Sequence, residues 1–116
     1  MSYRTGAEKK GLLPLLRCVS SIAELNPGMP LGQAMTFLEV ALHPGRGPKE
    51  YADTLSLPES TLSRWLLGLG HKDRGSTDVK VLEWRLNPEN LRMKQYYLNP
   101  MGAALVNKCL AALEKV

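Results

Sequence analysis

The chain has 116 residues, 44% hydrophobic and 22% charged, with a formal net charge of +4 at pH 7. That is enough for one domain with its own core, and the composition is ordinary for a globular protein. Apolar runs are too short to span a bilayer, and Pro14 and Arg17 break the only apolar stretch that resembles a signal peptide, with no small-residue cleavage site after it.

The first predicted helix lies within residues 8–25, where Leu12, Leu15, Leu16, Val19, Ile22 and Ala23 form a helical stripe. Pro14 suits a first turn, so regular helix is expected from near Leu13, with Gly11 in a looser lead-in. Asn26-Pro27-Gly28 stops it. The second helix fits Leu31–Leu42, with Leu31, Ala34, Met35, Leu38, Ala41 and Leu42 expected to be buried. His43-Pro44-Gly45 ends it, and Pro44–Pro48 reads as a compact loop whose glycines serve turn geometry.

Lys49–Leu55 and Pro58 to about Leu69 read as two short helices around a Ser56-Leu57 turn. Leu62, Trp65, Leu66 and Leu69 recur at i, i+3, i+4 and i+7 and predict one buried stripe. At about 100° per residue, Ser60, Arg64 and Leu67 point the other way, flanked by Thr61 and Ser63. Small hydroxyls allow close approach to a DNA major groove, and an arginine reaches guanine edges or phosphates. Ala52 is small where the two helices must cross, and Gly68 and Gly70 are expected to end the second.

After a polar loop at His71–Asp78 the period changes. Val79–Leu86 alternates as a strand, Asn87-Pro88-Glu89-Asn90 is turn chemistry, and Met93–Leu98 reads as the returning strand. Asn99-Pro100 starts a final helix, with Asn99 as N-cap, burying Leu105, Val106, Cys109, Leu110 and Leu113. The expected fold class is therefore mainly α with a small β-hairpin, a winged helix–turn–helix. The recognition helix of such a unit fills the major groove, and the hairpin tip reaches an adjacent minor groove or the backbone.

Charge follows this plan. Residues 1–17 hold four basic side chains and one acidic. Residues 71–94 hold six basic (Lys72, Arg74, Lys80, Arg85, Arg92 and Lys94) and four acidic, whereas residues 18–45 hold two acidic and none basic. The excess sits on the N-terminal arm and beyond the helix–turn–helix, which fits contact with phosphate.

From about Met35 to Leu113, roughly two-thirds of the chain, the sequence resembles the MarR-type winged-helix transcription regulators. KEYADTLSLPESTLSRWLLGL is similar to the family's helix–turn–helix, with Ala52, Leu55, Leu57, Ser60, Thr61, Ser63 and Arg64 at matching places. LEWRLNPENLRMKQYYLNPMGAALV is similar to the wing and the entry to the terminal helix, with Pro88, Glu89 and Arg92 at the tip and Leu98, Pro100 and Gly102 at the junction. The HPG before the helix–turn–helix also matches. Asn90 stands where the family usually has an aspartate, Pro58 where a serine N-cap is common, and the loop before the wing is longer. One terminal helix stands where many relatives have two.

The resemblance implies a sequence-specific regulator of transcription, often a repressor, binding a pseudo-palindromic site on double-stranded DNA as a homodimer; the cysteine usage fits a cytoplasmic setting. Ser60, Thr61, Ser63 and Arg64 would contact the major groove and Arg92 the wing's target, with Lys94 in the same basic segment. The domain plan is a single winged-helix domain over 1–116: an arm and dimerisation helix at 1–25, the winged helix at 31–98 and a dimerisation helix at 99–116. The alternatives are a winged helix that docks on another protein and a ligand- or redox-gated sensor; no effector is named by the sequence.

The remaining residues have plainer readings. Trp65 and Trp84 are expected in the core, and Tyr96 and Tyr97 on opposite faces of their strand. Cys18 and Cys109 have no metal-ligand spacing and read as buried packing residues in a reduced compartment. His43 and His71 lack partners at metal spacing, and no nucleophile–base set, paired carboxylates or cofactor loop is present, so neither catalysis nor a cofactor is expected.

Overall fold

The computed structural model describes residues 6–70 and 80–114. Within them the order is α1 (Gly6–Ala23), α2 (Leu31–Leu42), α3 (Pro48–Leu55), α4 (Glu59–Gly70), β1 (Leu82–Asn87), β2 (Asn90–Leu98) and α5 (Pro100–Glu114). The expectations for His71, Lys72, Arg74, Val79 and the N-terminal residues 1–5 lie outside the described residues.

The core is built mainly by α2, α3, α4 and the hairpin, with Cys18 and Ile22 of α1 and Leu105 and Cys109 of α5 joining it. Phe37, Val40, Tyr51, Leu62, Leu66, Leu69 and Val81 are fully buried, with Ala52, Leu82 and Tyr96 nearly so. Ala52 fills the α3–α4 crossing as its size requires. The turn between those helices closes with Ser56 in the left-handed region (φ 56°, ψ 43°) and the Leu57 N–H donating to the Ala52 carbonyl at 3.0 Å. This is a Schellman-type stop, made here by a serine where glycine is usual.

Helix α2 keeps its expected bounds but turns a different face inward. Gln33, Thr36, Phe37, Glu39 and Val40 are buried, whereas Leu31 is 73% and Leu42 70% exposed, with Met35 and Leu38 also exposed. The apolar residues of this helix occupy nearly its whole circumference, so periodicity alone does not choose a side. The aromatic Phe37 decides it by filling the centre. On the inner side Trp65 lies over Gly32, where an added Cβ would stand 2.5 Å from the indole ring. Gln33 Nε2 donates to the Trp65 carbonyl at 3.2 Å. Trp65 is thus only half-buried, against the expectation of a core tryptophan, and so is Trp84.

Helix α1 also departs from expectation. It is regular from Gly6, and Pro14 lies inside it rather than in its first turn. Proline removes one i→i−4 hydrogen bond; Pro14 is buried, so its ring is used in packing. Only Pro14, Cys18, Ser21 and Ile22 of the described α1 side chains are buried. The helix packs on α5, where Leu105 and Cys109 are buried but Leu110 and Leu113 are exposed, again unlike the expected stripe.

Element ends differ by small amounts. Helix α3 starts at Pro48, α4 runs through Gly68 to Gly70, and β2 begins at Asn90 rather than Met93. At the start of α5, Asn99 caps as expected, its Oδ1 accepting the Gly102 N–H at 2.8 Å. Gly102 is obligatory in this packing, because a Cβ there would collide with the Val81 carbonyl.

Candidate nucleic-acid interface

The interface is set by how α4 is held. Its Leu62, Leu66 and Leu69 side chains are fully buried, which turns Ser60, Arg64 and Leu67 to the exterior. Thr61 and Ser63 flank them half-buried. Arg64 is exposed and has no ion-pair partner among the described residues. Glu59 lies in the first turn, where a carboxylate complements the helix dipole. The exposed face therefore has the small-hydroxyl and arginine character read from the sequence.

The wing is fixed to the helix–turn–helix by a contact that the sequence reading missed. The loop after α2 pairs with β2: Gly45 N–H donates to the Tyr96 carbonyl at 2.8 Å, and Tyr96 N–H donates to the Arg46 carbonyl at 3.0 Å. Gln95 Nε2 adds a bond to the Gly45 carbonyl at 3.1 Å. Gly45 sits at φ 90°, so the turn role expected of this loop's glycines holds at that position. Tyr51 locks the same loop from below. Its hydroxyl donates to the His43 carbonyl at 2.6 Å and accepts the Arg46 N–H at 3.2 Å. Burial raises the Tyr51 phenol above its ordinary 10.0. His43 is held by Glu39, with Nδ1 2.6 Å from Oε1. Backbone bridging of this kind leaves no side-chain pattern to read.

On the hairpin, Tyr96 is buried and Tyr97 half-exposed, on opposite faces. Two cations are tied to rings. Lys94 Nζ lies 4.5 Å from the centre of the Trp84 ring, and the Arg85 guanidinium 4.6 Å from that of Tyr97 while pairing with Glu83 at 2.9 Å. Arg92 is exposed at the tip, where Asn90 Oδ1 accepts its backbone N–H at 3.2 Å. Asn90 thus shapes the backbone beneath Arg92.

A cavity of about 360 Å³ separates the wing from the helices, lined by residues including Lys49, Glu50, Glu59, Arg92 and Lys94. The structure therefore places Arg92 and Lys94 together on the wing, across this cleft from the start of α4 that carries Ser60. Arg64 lies farther along the same helix. Among the described residues, no three His, Cys, Asp or Glu side chains form a metal-binding group.

No family model matches the chain, and no curated protein matches it by sequence. Solved structures do match. A MarR family transcription regulator is 25% identical with a TM-score of 0.59, over 86% of this chain and 62% of that one. A cysteine-to-serine mutant of E. coli MarR complexed with operator DNA is 20% identical with a TM-score of 0.61, over 92% and 67%. S. aureus MepR in a DNA complex is 17% identical with a TM-score of 0.66, over 86% and 75%. The chain thus has the winged-helix fold of the MarR-type regulators, with five helices and a two-stranded antiparallel hairpin among the described residues. It spans about three-fifths of the length of the first of these relatives.

Proposed function

We propose that the protein is a sequence-specific DNA-binding regulator of transcription, a repressor that acts as a homodimer on a pseudo-palindromic site. The observation that carries this is the exposed face of α4. A helix anchored by three fully buried leucines offers hydroxyls and an unpaired arginine outward, beside a wing with a cationic tip. MarR and MepR of the same fold are seen with DNA, which supports the reading. Ser60, Thr61, Ser63 and Arg64 are assigned to the major groove, and Arg92 and Lys94 to the wing's contact.

Dimerisation is supported by the arm. Leu12, Leu13, Leu15, Leu16 and Val19 on α1 and Leu110 on α5 are about half exposed, a surface that a second copy would cover. The same reading keeps the domain plan of dimerisation segments at 1–25 and 99–116 around a winged helix at 31–98. It puts the protein in the cytoplasm, where DNA is met; no helix among the described residues is long and apolar enough to cross a membrane.

Selection from a random duplex pool, followed by titration at several salt concentrations, tests the proposal. A selected palindrome bound far more tightly than scrambled DNA is the expected result. Failure to enrich any duplex would favour a protein-docking role for the winged helix.

A further inference from the structure

The wing tip is more than a tight turn with an arginine. Strand pairing is regular from Leu82↔Leu98 to Leu86↔Lys94 and then jumps to Asn87↔Asn90. One step along β1 is matched by the stretch from residue 94 back to 90 on β2, so Leu91, Arg92 and Met93 have no partners across the hairpin. Bulges of this kind re-aim side chains. Both ends of this one are held. Asn90 Oδ1 accepts the Arg92 N–H, and Met93 lies against the start of α3, where a Cβ on Gly47 would stand 3.6 Å from its Cε. Between the anchors Leu91 is left 68% exposed. A polar residue would serve the turn equally well, so the fold gives no reason for a leucine here.

We propose that Leu91 is a specificity-determining residue of the wing, which presses on the floor and sugar walls of the minor groove beside Arg92 and favours A·T over G·C pairs. This rests on the DNA-binding reading above. Arg92 supplies the attraction that brings the tip to the groove, since a cation is drawn into its negative potential. The groove walls are deoxyribose C–H surface, which covers a leucine without leaving a polar group unpaired. The floor decides the sequence. A·T pairs present only acceptors there, flush with the floor, whereas a G·C pair adds the protruding guanine amino donor. A leucine seated over that amino group strips its water and offers no acceptor in return. Leu91 thereby converts the degenerate minor-groove pattern into a preference that the cation beside it does not impose through hydrogen bonding.

The test uses the full-length protein and the selected duplex. Hydroxyl-radical footprinting locates the flanking pairs under the wing, and those A·T pairs are changed to G·C or to inosine·C, which lacks the amino group. Wild type should lose about tenfold in affinity on G·C and keep it on inosine·C. Leu91→Ala and Leu91→Asn should bind the two duplexes within about twofold of each other, with thermal melting unchanged because the side chain is exposed. Arg92→Ala should instead weaken binding to every duplex and lower the salt slope by about one charge per subunit. If Leu91→Ala keeps the wild-type ratio while Arg64→Ala loses the operator, the leucine proposal falls and the DNA-binding reading stands. If Arg64→Ala and Arg92→Ala both bind as wild type does, the DNA-binding surface itself is misassigned and both fall.

Discussion

The winged-helix half and the α1–α5 arm bury apolar surface to very different degrees. From α2 to β2 the central side chains are fully enclosed: Phe37, Tyr51, Leu62, Leu66 and Leu69 have no exposed area. In the arm, Cys18, Ile22, Leu105 and Cys109 are buried, but Leu12, Leu15 and Leu16 are about half or more exposed. A pair of helices can cover only one stripe of each other. The core of the winged half is thus closed within the single chain, although α2 leaves Leu31, Met35, Leu38 and Leu42 exposed, and the arm is half of a layer. The residues proposed to read DNA sit on the half with the closed core, so they are held in place before any partner arrives. In the proposed dimer their spacing is set by the arm.

The largest effect should come from breaking the arm. Leu16→Glu places a charge on a surface that a second copy would cover, since Leu16 is 61% exposed in the single chain. Light scattering at micromolar concentration should change from twice the chain mass to one. Affinity for a two-half-site operator should fall on the order of a hundredfold or more, because linked half-sites act at high effective concentration. Wild type measured as a monomer would remove the dimer from the proposal and the palindrome with it.

Breaking the reading face should cost less. Arg64→Ala is expected to lose about 1–3 kcal/mol of operator binding and to relax preference at one position per half-site. Melting temperature should barely move, because Arg64 is exposed and unpaired. A large loss of stability instead would mean that the arginine holds the fold rather than reads DNA.

The same contrast explains what could be read from the sequence. The helix–turn–helix, the turn at Ser56-Leu57, the Asn99 cap and the winged order were legible because caps, turns and a three-leucine stripe are local signals. The inward face of α2 was not. Leu31, Met35, Leu38 and Leu42 make as regular a stripe as Phe37 and Val40 do, and which one meets the core is a tertiary decision. The arm misled for a related reason. Leu110 and Leu113 have the periodicity of buried residues but are left partly exposed. The wing bulge and the Gly45–Tyr96 bridge are backbone events without a residue signature. The candidate residues on α4 were legible because the buried leucines fix their opposite face. Lys94 was found by its charge alone, which could not show that it rests on Trp84.

The cysteines sharpen the comparison by reporting on the arm's core. Cys18 and Cys109 are distant in sequence, yet Cys109 Sγ lies 3.5 Å from the Cys18 carbonyl. Burial, then the hydrogen bond and charge of the Cys18 thiol, push the Cys109 thiol from 9.0 up to about 12. A protonated, buried thiol is a poor nucleophile, so mild oxidant should leave DNA affinity unchanged in wild type and in Cys109→Ser alike. Oxidant-dependent release that vanishes in the mutant would restore the redox-sensor alternative. The linkage has a definite sign. The folded state holds the proton more tightly, so this contribution is fully present below about pH 9 and is lost as pH rises from 9 toward 12. Denaturant melts across that window should show stability falling with pH, and the fall should be shallower in Cys109→Ala.

The smallest effect tests the α3–α4 turn of the winged half, one of two places among the described residues where a non-glycine residue takes a positive φ, Lys80 at φ 52° being the other. Ser56 adopts φ 56° at the stop of α3, a region that costs an L-residue roughly 1–2 kcal/mol and glycine almost nothing. Its side chain is exposed, so removing it sacrifices no packing. Ser56→Gly also gives the unfolded chain more freedom, which offsets part of the gain. The net should be a stabilisation of up to about 1 kcal/mol, readable as a higher denaturant midpoint with an unchanged slope. DNA affinity should stay within about twofold, because the turn keeps its hydrogen bonds from the Leu57 N–H to the Ala52 carbonyl and from the residue-56 N–H to the Asp53 carbonyl, and the crossing of α3 and α4 does not move. A destabilised Ser56→Gly would mean that the serine limits the chain before folding more than it strains it afterwards, and the turn would count with the well-fitted parts of the winged half.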